Sequence, residues 1–431
     1  MAESRDPSAL DRTEVLRIRN DFPLLAHLVN GKTLVYLDSG ATSQNPQSVL
    51  EAEQEFYEQR NSAVHRGAHT LAAHATVAFE DARATVAQFV GAREEEIVWT
   101  ANATAGLNLL AYAFSNASIG DVPAESRRFA VGPCDEIVVT EMEHHANLVP
   151  WQELCRRTGA ALRYIPVTDA GTLDLDEAAR VIGPKTRVLA FTHVSNVLGT
   201  INPVAHLVGL ARAVGALVVL DACQSAPHLP LDVKALDVDF AVFSGHKMLG
   251  PTGIGALYGR QELLDALPPV TTGGSMITTV TMERSGYLPA PQRFEAGTQP
   301  VSQAIAMAAA ARYLMETGME RIHAREGVLA QRMLEGLREL PGIRLLGPAP
   351  GVERAALVAF DVDGVHAHDV GQYLDAQGIA VRVGHHCAQP LHRRFGLTAT
   401  TRASAYLYTT EDEVDAFLQG VAGVRGFFGV K

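Results

Sequence analysis

Short apolar runs separated by helical segments constrain the fold of this chain more than any other feature of its sequence. Most of these runs are nearly continuous in apolar residues, which is typical of strands buried on both faces of a sheet. The predicted strands are residues 96–100, 136–140, 162–167, 188–193, 217–221, 240–244 and 255–258. Helical segments such as 204–214 separate most of them. The pattern predicts repeated strand–helix–strand units, and therefore a mostly parallel α/β sheet over about residues 50–270.

The pattern changes after Gly297 and predicts a second, smaller α+β domain. Helices are expected at 301–317, 326–340, 369–376 and from Thr410 onward, with strands at 357–362, 380–383 and 403–408. The predicted parts of the chain are an N-terminal segment (1–45) packing with the small domain, a large domain (46–299) and a small C-terminal domain (300–431). Residues 115–134 are rich in Gly, Pro, Ser and charged residues, so we expect an exposed loop there.

Composition excludes several classes of protein. The 48 acidic and 36 basic residues give a net charge of −12, which argues against nucleic acid or an anionic membrane as the main partner. Apolar runs such as 216–220 are far shorter than the ~20 residues that span a bilayer, and the first residues lack the pattern of a signal peptide. The four cysteines are scattered and form no Cys-x-x-Cys pair. We therefore expect a cytoplasmic protein without structural disulfides.

Two charged residues follow predicted strands and indicate chemistry. Asp221 ends the strand 217–221, at the edge of an open α/β sheet where ligands bind. Lys247 comes directly after the strand 240–244, and a desolvated lysine can form a Schiff base. An enzyme that uses pyridoxal 5'-phosphate (PLP) needs such a lysine, and an acid that keeps the pyridine nitrogen protonated. Taken singly, Lys247 could be a surface lysine and Asp221 a helix cap.

Eight ordered motifs give the chain a resemblance to a known family over about residues 15–428. They are Val-His-Arg-Gly at 64–67, Glu-His-His-Ala-Asn at 143–147, Thr-His-Val-Ser-Asn at 192–196, Asp-Ala-Cys-Gln at 221–224, Ser-Gly-His-Lys at 244–247, Arg-Phe-Glu-Ala-Gly-Thr at 293–298, Gly-His-His-Cys-Ala at 384–388 and Thr-Arg-Ala-Ser at 401–404. This set resembles the class V aminotransferases and, more narrowly, the SufS-type cysteine desulfurases.

The resemblance implies a PLP-dependent transferase of fold type I, working as a homodimer with active sites at the subunit interface. The cofactor contacts that it implies are Lys247 as the covalent link, Asp221 at the pyridine nitrogen, Gln224 at the ring hydroxyl, His144 stacked on the ring, and Thr104, Ser244, His246 and the neighbouring subunit's Thr298 at the phosphate. Each also has an ordinary alternative, such as a helix N-cap for Thr104 or a turn residue for Ser244.

The substrate side follows from the same resemblance. Arg402 matches the guanidinium that holds the α-carboxylate of L-cysteine, a pairing that suits a bidentate arginine. Asn196, Arg382 and His65 match residues of the substrate pocket, although such residues are also common in polar loops. Cys387 matches the cysteine that accepts sulfur as a persulfide while L-alanine is released.

The implied function is that of a cysteine desulfurase supplying sulfur for iron–sulfur cluster assembly. Selenocysteine lyase activity, as a main or side activity, is the alternative on the same site. A non-enzymatic assembly scaffold is disfavoured, because it predicts loss of Lys247 or Asp221 and both are present.

The sulfur acceptor is the last expectation from sequence. His368, 19 residues before Cys387, matches a histidine of desulfurases that serve zinc-containing SufU-type acceptors, whereas relatives served by SufE-type acceptors often differ there. Imidazole can replace a thiolate on zinc, so we expect zinc to be shared only in the complex, with no metal bound by this protein alone. Otherwise His368 simply lies near the start of the helix predicted at 369–376.

Overall fold

The computed structural model describes residues 9–430, which form helices, strands and seven short 3-10 or π-helical turns. The α-helices are α1 Arg12–Asn20, α2 Gln47–Glu55, α3 Thr70–Phe89, α4 Ala103–Ile119, α5 Val149–Thr158, α6 Leu175–Val181, α7 Val204–Val214, α8 Gln261–Ala266, α9 Val301–Thr317, α10 Met319–Glu339, α11 Ala367–Asp375, α12 Gln389–Arg394 and α13 Glu411–Phe427. Among these described residues, no helix is both long and apolar enough to cross a bilayer.

The strands group into one large sheet, one smaller sheet and three short pairs. They are β1 Leu28–Val29, β2 Lys32–Thr33, β3 Val35–Tyr36, β4 Ile97–Thr100, β5 Glu136–Thr140, β6 Ala161–Ile165, β7 Thr186–Thr192, β8 Leu217–Asp221, β9 Phe240–Ser244, β10 Gly255–Gly259, β11 Ile277–Val280, β12 Ser285–Tyr287, β13 Ile343–Leu346, β14 Leu357–Val362, β15 Ile379–Ala380, β16 Arg382–Gly384 and β17 Thr400–Ser404.

The large sheet contains all seven strands predicted over residues 96–258. Its order is β4-β10-β9-β8-β7-β5-β6, parallel from β9 to β6, with β10 antiparallel to both of its neighbours. Both faces are buried: Val218 and Leu220 of β8 pack into one core, and Val219 packs into the core on the opposite face. The continuous apolar runs follow from this two-sided burial, so the predicted mostly parallel α/β sheet is confirmed.

The helices on the two faces of the sheet begin and end at residues that stabilise helix termini. His69 caps α3, because its Nδ1 accepts the Ala72 N–H at 3.3 Å. α7 ends at Gly215, whose φ of 73° is a left-handed conformation that glycine adopts without steric cost. α9, predicted at its observed bounds, packs against α2 and α3.

The C-terminal part builds a second, antiparallel sheet with the order β13-β14-β17-β16. α10, α11 and α13 pack their apolar residues into a third core with this sheet. The N-terminal segment reaches the same region, since β3 pairs in parallel with β15. The division of the chain into domains at 45 and 299 stays a prediction.

Four segments differ from the sequence-based predictions. The helix predicted at 326–340 is Met319–Glu339, and the strand predicted at 380–383 is divided between β15 and β16. The exposed loop predicted at 115–134 is confirmed only in part. α4 continues to Ile119, and after it the chain is mostly exposed without an α-helix or strand, although Phe129 is buried with its ring stacked on Phe114 at 5.3 Å between centroids. The strand predicted at 403–408 is Thr400–Ser404 instead, and Tyr406 and Tyr408 are buried in the turn that follows. The strand Thr400–Ser404 was misplaced because its polar residues are buried by tertiary packing.

Candidate active site

A cavity of about 530 Å³ lies where the carboxyl ends of parallel strands in the large sheet face the antiparallel sheet. Open α/β sheets bind ligands at this edge. Eleven of the residues predicted from sequence line this cavity: Thr104, His144, Asn196, Asp221, Gln224, Ser244, His246, Lys247, Arg382, Cys387 and Arg402. The structure therefore brings most of the predicted site together from positions almost 300 residues apart.

The floor of the cavity comes from β8 and β9. Asp221 ends β8, is buried, and accepts the Cys223 N–H at 3.0 Å through Oδ1. Lys247 is delivered by the 3-10 turn Gly245–Lys247 that follows β9. Gln224 donates from Nε2 to the Gly40 carbonyl at 2.7 Å, while its buried Oε1 has no hydrogen-bond partner among residues 9–430. An acid, an amine and an unpartnered amide oxygen therefore share one site.

One end of the cavity is suited to a phosphate. The N-terminus of the 17-residue helix α4 faces it, with Asn102 as the cap and Thr104 in the first turn. Ser244 Oγ accepts the Ala103 N–H at 2.9 Å, which ties the helix start to β9. First-turn amides lack intrahelical acceptors and the helix dipole favours an anion there. Thr104, Ser244 and this helix end are therefore placed to hold a phosphate.

Two histidines of the cavity are neutral near pH 7. Burial, and next the charge of Lys247, lower the pKa of His144 and of His246 to about 4 each. His144 Nδ1 accepts the Ala146 N–H at 3.0 Å, so its neutral ring carries the proton on Nε2. A neutral, oriented imidazole suits stacking on an aromatic ring.

The substrate end of the cavity contains two arginines from neighbouring strands. Arg402 on β17 is buried and donates from Nη1 to the Asn196 carbonyl at 2.8 Å. Burial lowers its pKa to about 10, which still leaves the guanidinium charged at neutral pH. Arg382 on β16 is its cross-strand neighbour and is exposed. β16 and β17 therefore each place a guanidinium in the lining of the cavity.

Cys387 lies in a constrained loop that is held by hydrogen bonds from residues that follow strands of the large sheet. Its carbonyl accepts the His145 N–H at 2.7 Å, and Asn196 Nδ2 donates to the preceding carbonyl, that of His386, at 2.7 Å. Both His386 and Cys387 have a positive φ, 49° and 54°, which few non-glycine residues adopt. The Cys387 side chain is exposed in the cavity that contains Lys247.

Three predicted residues lie outside this cavity. Thr298 is exposed in the loop before α9. His65, with a φ of 71°, pairs through Nε2 with Glu80 Oε1 at 2.8 Å. His368 is exposed in the first turn of α11, where it lines a separate shallow cavity of about 450 Å³. Among residues 9–430, no group of three His, Cys, Asp or Glu side chains is arranged to hold a metal ion.

Two carboxylates of the site were not predicted from sequence. Glu143 is fully buried beside His144 and accepts from Asn147 Nδ2 at 2.6 Å and from the Thr192 N–H at 3.0 Å; burial raises its pKa to about 8. The sequence signal that could have identified Glu143 was its position directly before the two histidines of the 143–147 motif. Asp38 pairs with Arg382 through two hydrogen bonds, and no local pattern points to it.

The donor set fits PLP. The cavity offers an amine for a covalent link, a buried acid for the pyridine nitrogen, a buried amide oxygen for the ring hydroxyl and a helix N-terminus for the phosphate. Arg402 lines the same cavity with its charge retained, so it can hold a carboxylate. Such a site can hold an amino acid on the cofactor with a thiol close by.

Comparison with known proteins agrees with this geometry. The aminotransferase class-V family model matches residues 35–417, so the chain belongs to this family. The probable cysteine desulfurase 2 of Mycobacterium leprae is 55% identical over 422 residues, covering 98% of this chain and 99% of that relative. The apo structure of a cysteine desulfurase from Thermococcus onnurineus NA1 has a TM-score of 0.88 and 39% identity, over 99% of this chain and 100% of that one.

A third similar protein was solved with the cofactor. It is a C-DES variant with glycine covalently linked to PLP, 26% identical to this chain with a TM-score of 0.79, over 94% of this chain and 99% of that one.

Proposed function

We propose that this protein is a PLP-dependent cysteine desulfurase that converts L-cysteine to L-alanine and leaves the sulfur as a persulfide on Cys387. The observation that carries the proposal is the presence of Lys247, Asp221, Arg402 and Cys387 in one cavity. Together they supply the amine, the acid, the carboxylate partner and the sulfur acceptor that this reaction needs. The similarity to cysteine desulfurases over nearly the whole chain supports the same activity.

The residues of the large sheet hold the cofactor in this proposal. Asp221 would keep a proton on the pyridine nitrogen, Gln224 would bind the ring hydroxyl, and His144 would stack its neutral imidazole on the ring. Thr104, Ser244 and His246 would hold the phosphate at the start of α4. When bound, PLP draws electron density away from the substrate's α-carbon.

The chain's own residues then bind the substrate and move its protons. Arg402 holds the α-carboxylate, and its contact with the Asn196 carbonyl fixes the guanidinium in place. Lys247 Nζ takes the α-proton and later returns one to the product. The orientation set by Arg402 keeps the substrate's thiol side chain toward the Cys387 loop.

Cys387 completes the reaction as a nucleophile. Its thiolate attacks the substrate sulfur, so that an S–S bond forms as the C–S bond breaks and the bonding electron pair stays with the carbon. That carbon is then protonated and the product leaves as L-alanine. The contacts to His145 and Asn196 hold the loop close to the cavity, which favours attack from a fixed position.

At the level of the whole protein we propose a SufS-type homodimer in the cytoplasm that supplies sulfur for iron–sulfur cluster assembly. Thr298 would enter the neighbouring subunit's site, which is supported by its position outside the cavity of its own chain, and the substrate-pocket role of His65 stays a prediction. All four cysteines are unpaired thiols, as a reducing compartment maintains them.

The acceptor protein would dock beside β16. This strand contributes Arg382 to the active-site cavity and Val383 to the shallow cavity that His368 lines, so the two cavities lie on either side of one short strand. An acceptor bound at His368 would therefore be near Cys387. We propose a SufU-type acceptor whose zinc takes His368 as a ligand, which frees an acceptor thiolate; a SufE-type acceptor is the alternative.

The acceptor proposal is tested with a zinc-loaded SufU-type protein. We expect strong stimulation of alanine release by the wild-type enzyme and by His206→Ala, which removes an exposed histidine from α7. His368→Ala should show almost none. Equal stimulation of all three proteins would reject His368 as the ligand.

The proposed function is tested by two variants of the PLP-loaded protein. Lys247→Ala should abolish alanine release from L-cysteine, because the amine and the base are lost together, whereas Lys185→Ala, at an exposed lysine, should retain it. Cys387→Ser should abolish persulfide formation but still process selenocysteine, whose C–Se bond breaks more readily.

The matched control for the thiol is Cys134→Ser, at the other exposed cysteine. Wild-type cysteine turnover by Cys387→Ser, or alanine release by Lys247→Ala above the free-cofactor background, would contradict the proposal.

A further inference from the structure

Asp38 lies behind the two arginines of the cavity and contacts both. Its Oδ1 and Oδ2 accept from Nε and Nη2 of Arg382 at 3.2 and 2.6 Å, a two-point pairing. Its Oδ1 is also 3.6 Å from Nη2 of Arg402. The Asp38 side chain is only 13% exposed, so water screens these contacts weakly.

This pairing makes the two arginines unequal. Arg382 turns its Nε and Nη2, the donor edge that suits a carboxylate, toward Asp38. Arg402 donates from Nη1 to a backbone carbonyl, and its Nη2 lies 3.6 Å from Asp38 Oδ1, beyond hydrogen-bond distance. Arg402 also lines the cavity, so it is the guanidinium with a terminal donor left for a substrate carboxylate, whereas the charge of Arg382 is already neutralised.

The backbone holds Asp38 in this position. Asp38 forms a parallel β-bridge with Ser404, and its carbonyl accepts the Ala41 N–H at 3.0 Å. Two residues on, the chain passes so close to Arg402 that a Cβ on Gly40 would lie 3.3 Å from the guanidinium carbon. Asp38 therefore has little freedom to leave the arginines when a ligand binds.

Electrostatics gives the carboxylate a further role. Arg382 and Arg402 are direct cross-strand partners in β16 and β17, and like charges in that position repel each other. With Asp38 between them the group of three has a net charge of +1, which matches one carboxylate. Without Asp38 the two arginines would have a net charge of +2, which matches two carboxylates.

We propose that Asp38 determines substrate specificity by charge: it neutralises Arg382, so that the site offers one guanidinium and selects amino acids that carry a single carboxylate. This inference rests on the proposed function, because it assumes that the cavity binds an amino acid on PLP. Asp38 acts through the arginines and is a positioning residue for the substrate's carboxylate.

The experiment compares L-alanine and L-aspartate, which have one and two carboxylates, as ligands of the PLP-loaded enzyme. Binding is measured by titration of the cofactor's absorbance and by competitive inhibition of L-cysteine turnover. In Asp38→Asn the affinity for L-aspartate relative to L-alanine should rise about tenfold, equivalent to about 1.4 kcal/mol. Asp38→Glu, which keeps the charge, should retain most of the wild-type ratio.

Two further variants make the outcome decisive. Asp38→Asn combined with Arg382→Gln removes both charges and should restore the wild-type ratio. Asp412→Asn removes a carboxylate from an exposed pair with Arg12 and should leave the ratio unchanged. An unchanged ratio in Asp38→Asn would overturn the inference. If Asp38→Asn does not load PLP, the double variant decides: recovery of loading and of the wild-type ratio supports the inference, and continued loss overturns it.

Failure of the proposed function would look different. In that case the wild-type enzyme itself would release no alanine from L-cysteine, whereas the spectral titration reports amino-acid binding without turnover.

Discussion

The histidines around the active-site cavity are kept neutral by burial. The pKa falls to about 4 for His144 and for His246, and to about 2 for His386, where burial is the main cause and the charge of Arg402 the next. These rings therefore act as acceptors and stacking surfaces and add no positive charge to the cavity. The positive charge that a substrate meets comes from Lys247 and Arg402, because Arg382 is paired with Asp38.

His386 should make the stability of the protein depend on pH. The pKa of an unfolded histidine is near 6.5 and that of His386 is about 2, so the unfolded state binds more protons between these values. The contribution of His386 to the free energy of unfolding is therefore full above pH 6.5 and is lost progressively as the pH falls below that value. Between pH 7.5 and pH 5, the free energy of unfolding of His386→Asn should therefore fall by about 1 to 2 kcal/mol less than that of the wild type.

Urea unfolding of the PLP-loaded protein at these two pH values measures the effect. His206→Asn, at an exposed histidine, is the matched control and should lose as much stability as the wild type. A loss in His386→Asn as large as that of the wild type would contradict the assignment.

Residues at strand ends could be predicted from sequence, but residues that act through distant partners could not. Asp221 and Lys247 follow apolar runs whose strands set their position at the edge of the sheet. Asp38 acquires its role only from Arg382, 344 positions away, after β3 has joined β15 and β16 has paired with β17. A single sequence contains no local signal of such a contact.

The start of α4 is the element proposed to bind the phosphate of PLP, and a glycine sets its distance from the sheet. A Cβ on Gly255 of β10 would lie 2.7 Å from the Asn102 Cα and 2.7 Å from the Phe243 carbonyl oxygen, and neither backbone atom can rotate away. Gly255→Ala should therefore displace the helix start, weaken PLP binding about tenfold or more, and destabilise the protein by about 1 to 3 kcal/mol.

The dissociation constant for PLP and the melting temperature are the measurements. Gly209→Ala in α7 is the control, because a Cβ there meets nothing within 4 Å and alanine favours a helix. It should leave PLP affinity unchanged. Unaltered PLP affinity in Gly255→Ala would contradict the prediction, because it would show that the helix start tolerates the displacement.

Elements buried on both faces were predicted most accurately. β8, β9 and β14 begin and end at the predicted residues, since continuous apolar runs leave little ambiguity. β17 was misplaced because Thr400, Thr401 and Arg402 are polar but buried, Arg402 in the lining of the active-site cavity. A strand whose polar residues serve a cavity does not show the apolar pattern by which strands are recognised.

The active site requires both sheets of the molecule. The large sheet supplies the residues proposed for the cofactor, and the antiparallel sheet with its loops supplies Arg382, Arg402 and Cys387. Within one chain, however, the residue proposed as a further phosphate ligand, Thr298, lies outside the cavity. In a two-fold dimer each site would instead receive Thr298 from the other subunit.

Hybrid dimers test this arrangement. Dimers of Lys247→Ala lack the amine, and dimers of Thr298→Trp should be blocked by a bulky ring in each partner's site, so both should be inactive. In a hybrid of the two chains, one site has lost Lys247 and also receives the tryptophan, whereas the other has Lys247 and receives Thr298. Alanine release by hybrids isolated with two affinity tags should therefore recover to about half of the wild-type rate. If Thr298 instead acted within its own chain, the only chain with Lys247 would carry its own tryptophan, and the hybrid would be as inactive as its parents.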